Sequence, residues 1–401
     1  MTISTEERPP LGVAIVGCGV ISYNHARAIA RHPQLELVAV VDAIAEAATK
    51  LADFCVAEVG VARPSEFASL TPALATGGID VVIICTPSGT HVRLAAEAVE
   101  SGAHVVIEKP LDVAVSRARR IAELAAAAEA KGIVVSVISQ HRFDPASVVV
   151  AGAISSGSFG RITSAVATVP WWRTQDYYDS GQWRGTWELD GGGALMNQGV
   201  HTVDLVVWFL GSPVEISAQT ALLAHENIEV EDVAVATITF ASGALAVIHA
   251  STAGYPGLPV RVQVQGSRGS AVIDGDQLDY FHAAQAAASG GRPDQGEAAP
   301  ANQAAGLVPA SDLRGGDKGT DAFVNGHLRQ YNDIVEAIRR GSAPGVRVQD
   351  ALVSLAVVRA IYLSATRGEP ILFADVLAGR FDDEPVSTGG ADRVATVEGA
   401  A

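Results

Sequence analysis

Val13-Ala14-Ile15-Val16-Gly17-Cys18-Gly19-Val20-Ile21-Ser22 joins an apolar, β-branched run to a glycine-led turn. A second run, Leu37 to Val41, ends in Asp42 about 20 residues further on, the spacing of a strand–turn–helix–strand unit that binds a dinucleotide. Gly17 permits the tight turn, and Gly19 lets the backbone approach a pyrophosphate. The helix opened by Val20 and Ile21 turns unpaired N–H groups toward the phosphates. Ser22 replaces the third glycine and is still small enough for close helix packing. Asp42 is placed to accept hydrogen bonds from ribose hydroxyls. Its charge, followed by the uncharged Ala43-Ile44-Ala45, favours NAD over NADP.

Outward from this unit, Val81 to Cys85, Val105 to Ile107 and Val134 to Ile138 alternate with Ala-rich amphipathic stretches such as His91 to Ser101 and Val115 to Lys131. That alternation predicts a parallel sheet with crossover helices, an α/β Rossmann domain over residues 11–145. Thr86-Pro87 closes one strand at the carboxyl edge of the sheet, the ligand side, so Thr86, Pro87 and His91 are candidates to line the cofactor. For His91 a helix-capping or exposed role competes.

Beyond Pro145 a helix to about Ser155, a strand at Arg161 to Val169 and a helix at Ala194 to Leu210 lead into consecutive strand-like runs between Val214 and Phe281. Hairpin spacing predicts an α+β domain with an open, mostly antiparallel sheet over 146–375. Residues 283–320, rich in Ala, Gly, Gln and Pro, read as a mobile excursion, and 376–401 as a disordered tail. Helical patterns cover Ala322 to Arg340 and Gln349 to Arg367.

Composition narrows the partners. A formal charge of −16 without a basic block argues against nucleic acid. No run of eighteen uncharged apolar residues occurs and the first ten residues lack a signal-peptide pattern, so a cytoplasmic chain without a membrane span is expected. Cys18, Cys55 and Cys85 suit neither a disulfide framework nor a thiolate metal site. No set of His, Asp and Glu has metal-ligand spacing, and no metal is expected.

At Val105-Val106-Ile107-Glu108-Lys109-Pro110 an apolar strand ends in a charged pair. A surface ion pair at a turn is one reading. The other sends the Lys109 ammonium toward the ligand crevice, to stabilise an alkoxide as hydride leaves.

Glu108-Lys109-Pro110, with Gly17 to Ser22, Thr86-Pro87, Gln140-His141-Arg142-Phe143 and Gly191-Gly192-Gly193-Ala194-Leu195-Met196-Asn197-Gln198-Gly199-Val200-His201-Thr202-Val203-Asp204, resembles the Gfo/Idh/MocA family of glucose-fructose oxidoreductases and inositol dehydrogenases, from about Gly12 to Phe373. The resemblance implies NAD(H)-dependent oxidation of a secondary alcohol of a sugar, sugar derivative or cyclitol. It also implies Lys109 as an active-site residue, Glu108 close to the cofactor, His201 as catalytic base, and a homodimer or homotetramer built on the open sheet. A non-catalytic NAD-binding sensor and an NAD-dependent redox glycosidase are the alternative functions.

Asn197, His201 and Asp204 fall at i, i+4 and i+7, one helical face, and the preceding glycines would leave room for a nicotinamide ring. Inositol dehydrogenase-like members carry aspartate where this chain has Asn197, which orients but cannot neutralise. Asp204 either orients His201 or caps a buried polar contact. Four of the five tryptophans, Trp171, Trp172, Trp183 and Trp187, fall close together in a chain only 5% aromatic. Either they seal a domain interface, or Trp172, Trp183 and Trp187 stack on sugar C–H faces while Arg142, Arg173 and Arg184 fork onto hydroxyls, a carboxylate or a phosphate. Gln140 and Arg142, ending the last Rossmann strand, belong with the substrate candidates.

Overall fold

The computed structural model describes residues 8–181, 183–284 and 301–389. They form two compact units: residues up to Gln140 together with Gly319–Leu352, and His141–Lys318 together with those from Val353 on.

In the first unit β1 (Leu11–Val16), β2 (Leu35–Val41), β3 (Ser65–Phe67), β4 (Val81–Ile84), β5 (His104–Ile107) and β6 (Val135–Val137) make a parallel sheet in the order β3-β2-β1-β4-β5-β6. Every residue of β1 and β4 is buried, because strands covered on both faces have no polar side, and so they read as unbroken apolar runs. The crossovers carry α1 (Val20–Ala30), α2 (Ala45–Phe54), α3 (Leu70–Ala75), α4 (His91–Glu100) and α5 (Val115–Glu129). The strand order reverses between β1 and β4, the switch point at which such sheets hold ligands.

The second unit contains α6 (Pro145–Ser155), β7 (Ile162–Pro170), α7 (Gln175–Asp179), α8 (Val200–Leu210), β8 (Pro213–Ala221), β9 (Val233–Phe240), β10 (Leu245–Ser251), β11 (Arg261–Gly266), β12 (Gly269–Asp274), β13 (Gln277–Ala283) and a short β14 (Ile371–Leu372). The sheet runs β13-β12-β11-β7-β10-β9-β8-β14. β7 and β10 pair in parallel and the other neighbours antiparallel. Alternation buries Ala234, Ala236, Ile238 and Phe240 of β9, while Val166, Val235 and Val247 stand exposed on three adjacent strands.

Two helices and a turn follow: α9 (Ala322–Arg340), α10 (Val348–Arg367) and α11 (Phe373–Leu377). Sequence order assigned α9 to the second domain, but it packs on α1 in the first unit. Its Val324, Tyr331, Ile334 and Val335 enter the core with Ile15 and Ile29. Gln330 fixes it to the sheet, accepting Ser139 N–H at 2.9 Å and donating to Val137 O at 2.7 Å. An apolar helix face does not say which core it will join. By length and composition α10 is the one described helix able to cross a membrane, with mean hydropathy 1.4. Its Leu355, Val357, Val358, Ile361 and Leu363 are buried inside the protein.

The expected excursion differs in its described part. Gln303 N–H donates to Phe281 O at 2.8 Å, and Gln277 Nε2 donates to Ser311 O and Gly316 O at 2.7 and 2.8 Å. Residues 301–316 are thus hydrogen-bonded to the edge strand β13 at several points; residues 285–300 lie outside the described residues. In the expected tail, Thr388 Oγ1 donates to Glu229 O at 2.6 Å and Gly389 N–H to Thr220 Oγ1 at 3.1 Å. Residues 390–401 lie outside the described residues.

Candidate active site

β1 runs into Gly17, where φ is 94° and a Cβ would lie 2.7 Å from the Cys85 carbonyl carbon and 2.8 Å from the Thr86 nitrogen. Only glycine fits. At Gly19 a Cβ would meet open space, so nothing in the fold itself demands glycine there; the backbone is left bare toward the place of the pyrophosphate. Asp42, at the end of β2, accepts Cys18 N–H at Oδ2 and Ile44 N–H at Oδ1, each at 2.8 Å. It locks the turn and keeps lone pairs on both oxygens for ribose hydroxyls. Val20 and Ile44 expose 87% and 67% of their surface beside this carboxylate's chain segments, apolar area suited to an adenosine. These residues fit NAD.

Thr86 is half-buried and Pro87 exposed past the carboxyl end of β4, where the sequence placed them. His91 differs. Its ring is buried and its two nitrogens lie 2.9 Å from Thr86 O and Leu111 O. The ring staples the loops that follow β4 and β5.

Glu108, expected beside the cofactor, is buried and turned inward. Its Oε2 accepts Lys109 N–H at 2.9 Å, and its Oε1 lies 2.8 Å from His25 Nε2 and 3.6 Å from His327 Nε2. His25 Nδ1 lies 2.5 Å from the Tyr331 hydroxyl. Burial pushes the Glu108 carboxyl up, but the hydrogen bond from His25 and the nearby His327 ring outweigh it and hold the group well below the usual carboxylate range. Burial lowers His25 and raises Tyr331 well above its ordinary value. The chain therefore runs from the Tyr331 hydroxyl to a neutral His25, whose Nε2–H donates to an ionised Glu108; the tautomer follows from these partners. Sequence reasoning missed His25, His327 and Tyr331. The available signal was that His25 shares the inward face of α1 with Ser22, Ala26 and Ile29.

In the second unit the helix expected at Ala194 opens with a π-helical turn, Ala194–Gly199, before α8. At two of the preceding glycines the protein's own atoms stand where a side chain would begin. A Cβ on Gly193 would lie 1.8 Å from Glu231 O, and one on Gly192 2.2 Å from the Tyr362 hydroxyl. Glu231 clamps this turn by accepting Gly193 N–H, Leu195 N–H and the Tyr362 hydroxyl at 2.9, 2.8 and 3.0 Å. Burial raises its carboxyl to about 7 against the pull of those hydrogen bonds.

Asn197, His201 and Asp204 take separate partners. Asn197 Nδ2 donates to Asp190 Oδ1 at 2.8 Å and Gly192 O at 2.9 Å. Asp204 accepts both arms of Arg142 at 2.7 Å and the Ser354 hydroxyl at 2.9 Å. Arg142 and Asp204 are both buried, and this bidentate pair ties the segment after β6 to α8. The half-buried His201 lies edge-on to His141, ring centroids 5.1 Å apart. His141 in turn meets Asp144 at 2.8 Å and Asp276 at 3.4 Å. Burial lowers His141, yet these two carboxylates prevail and hold it above its ordinary value.

Trp183 is exposed, with Arg184 over its ring. Trp187 packs edge-on to Tyr362 at 5.0 Å, and Trp172 against Tyr255 at 5.5 Å. Gln140, in the first unit, is buried with its side chain against Gly326 of α9, and so is part of that core. Among the described residues folding also assembles two groups with metal-type donors that no spacing suggested, His25/Glu108/His327 and His141/Asp144/Asp276. In each the closest pair is at hydrogen-bond distance.

The family model described as oxidoreductase family, NAD-binding Rossmann fold, matches residues 11–138, and the GFO/IDH/MocA C-terminal domain matches 149–272. The scyllo-inositol 2-dehydrogenase (NAD(+)) of Bacillus subtilis is 26% identical over 89% of this chain and 95% of its own. The inositol 2-dehydrogenase of Rhizobium meliloti is 29% identical over 65% and 74%. Among solved structures, the WlbA dehydrogenase from Bordetella pertussis, in complex with NADH and UDP-GlcNAcA, superposes with a TM-score of 0.72 at 32% identity, covering 90% of this chain and 98% of that one.

Proposed function

Because this chain belongs to the Gfo/Idh/MocA family of NAD-binding oxidoreductases, we propose that it oxidises a secondary alcohol of a sugar or sugar derivative, with Lys109 and His201 as its catalytic residues. NAD, when bound, supplies the hydride acceptor. Gly17, Gly19 and Asp42 hold its pyrophosphate and adenosine ends. The Lys109 ammonium holds the reacting hydroxyl and stabilises the negative charge that develops on its oxygen. His201 removes the hydroxyl proton. Asn197 keeps the turn in place through Asp190 and adds no charge of its own, unlike the aspartate of inositol dehydrogenase-like members.

The observation that carries this reading is the fixing of each proposed catalytic segment from below: Glu108 on the Lys109 backbone, Glu231 and Tyr362 on the turn that leads to His201. The sugar-derivative ligand of the WlbA structure supports the substrate class. NADH formation across sugars, sugar acids, nucleotide sugars and inositols tests it; no NADH from any of them speaks against an NAD-dependent alcohol dehydrogenase.

We also propose a homodimer or homotetramer through the exposed sheet face of Val166, Val235 and Val247. Val235→Glu with Val247→Glu is expected to lower the sedimenting mass. A wild-type chain that sediments as a monomer at every concentration removes the proposal.

A further inference from the structure

Two guanidinium groups of the second unit lie over one ring. The Arg173 carbon is 5.2 Å and the Arg184 carbon 4.4 Å from the Tyr177 centroid. Each has a second ring, Trp171 at 5.1 Å for Arg173 and Trp183 at 4.4 Å for Arg184. Among the described residues neither has a carboxylate partner, in a chain with 28 Lys and Arg against 44 Asp and Glu. Arg63, Arg142, Arg261 and Arg367 are all paired with carboxylates.

Arg173 Nε is buried without any hydrogen-bond partner. Such a donor costs stability unless a ligand accepts from it. Its Nη2 donates to Gln198 Oε1 at 3.2 Å, and Gln198 Nε2 reaches the Tyr177 hydroxyl at 3.4 Å. Gln198 lies in the π-helical turn next to Asn197, three residues before His201, so the arginine pair is tied to the segment that carries the proposed base.

Aromatic faces hold guanidinium planes in orientation without neutralising them. Two like charges on one ring repel each other, and an anion that accepts from both relieves that repulsion. The fork of an arginine matches a carboxylate or a phosphate bidentately.

We propose that Arg173 and Arg184 form a subsite for an anionic group of the substrate, a uronate carboxylate or the phosphate of a nucleotide sugar. The substrate is then an acidic sugar and not a neutral polyol, a conclusion that rests on the alcohol-oxidising reading above.

Calorimetric titration of the NADH-loaded protein with glucuronate, UDP, UDP-glucuronate and glucose tests it. The acidic probes are expected to bind at least ~10-fold more tightly than glucose. Arg173→Met and Arg184→Met should each weaken them by ~10-fold or more, with NADH affinity and melting temperature held. Arg173→Lys and Arg184→Lys, which keep the charge and lose the fork, should fall between, and they carry the test if a Met variant does not fold. Binding of glucuronate without UDP assigns the carboxylate; binding of UDP without glucuronate assigns the phosphates. Glucose binding as tightly as the acids, no binding of any acidic probe, or variants that bind the acids like wild type would overturn the proposal. A tightly bound acidic sugar that yields no NADH when offered to the protein with NAD would instead sink the alcohol oxidation and leave the anion site standing.

Discussion

Glu108 Oε2 accepts the backbone N–H of Lys109 at 2.9 Å, so the residue before the proposed catalytic lysine fixes that lysine's own peptide. The carboxylate is buried and relies on His25, 2.8 Å from its other oxygen, for a donor. Through His25 on α1, the helix that follows the dinucleotide turn is joined to the strand end that carries Lys109.

His25→Phe leaves that buried charge short of a partner. Leaving a buried charged acceptor without its hydrogen-bond donor costs about 1–3 kcal/mol or more, so the urea midpoint should drop with the slope unchanged. A loss under about 1 kcal/mol would mean that His327 alone satisfies Glu108.

The two glycines of the dinucleotide turn should separate fold from binding. Gly17→Ala sets a Cβ 2.7 Å from the Cys85 backbone at a φ of 94° and should lower the melting temperature. Gly19→Ala meets open space, so melting should stay near wild type while NAD binds ~10-fold more weakly or worse. Equal NAD affinity in Gly19→Ala would show that the backbone there does not approach the cofactor.

Glu231 sets a pH dependence of stability. Burial raises its folded-state carboxyl from the ordinary 4.5 to about 7, so the native state binds more protons than the unfolded chain between those values. The contribution is fully present below about pH 4.5 and is lost as pH rises through 7, roughly 3 kcal/mol in all. Unfolding free energies of wild type minus Glu231→Gln, measured from pH 4.5 to 7.5, should fall with pH. A flat or rising difference contradicts a raised carboxyl at the turn.

What was legible in the sequence was local. The turn from Gly17, the carboxylate at Asp42, the strand end at Lys109 and the histidine at His201 lie in segments whose pattern names their element. What was not legible depends on partners far along the chain: Glu108 meets His25 across 83 positions, and His25 meets Tyr331 across 306. The glycines at 191–193 read as room for a ligand, and the sequence does not show that at Gly192 and Gly193 Tyr362 and Glu231 fill the space a side chain would take. Arg142 and Asp204 looked available because each is charged, yet a buried bidentate pair satisfies both. The sequence offers Arg173 and Arg184 as candidate forks, but only their geometry shows that no carboxylate among the described residues answers them.

With an oxidised substrate in hand, the pH profile of turnover in wild type and His201→Ala bears most directly on the division of labour between Lys109 and His201. General-base help is worth ~10²–10⁴-fold, so His201→Ala should lose turnover on that scale together with the rising limb of the wild-type profile, while the NAD dissociation constant moves little. Lys109→Ala should fall comparably, again with NAD binding kept. Near-normal turnover by His201→Ala with the limb intact would contradict His201 as the base, and lost NAD binding in Lys109→Ala would make that lysine a cofactor ligand first.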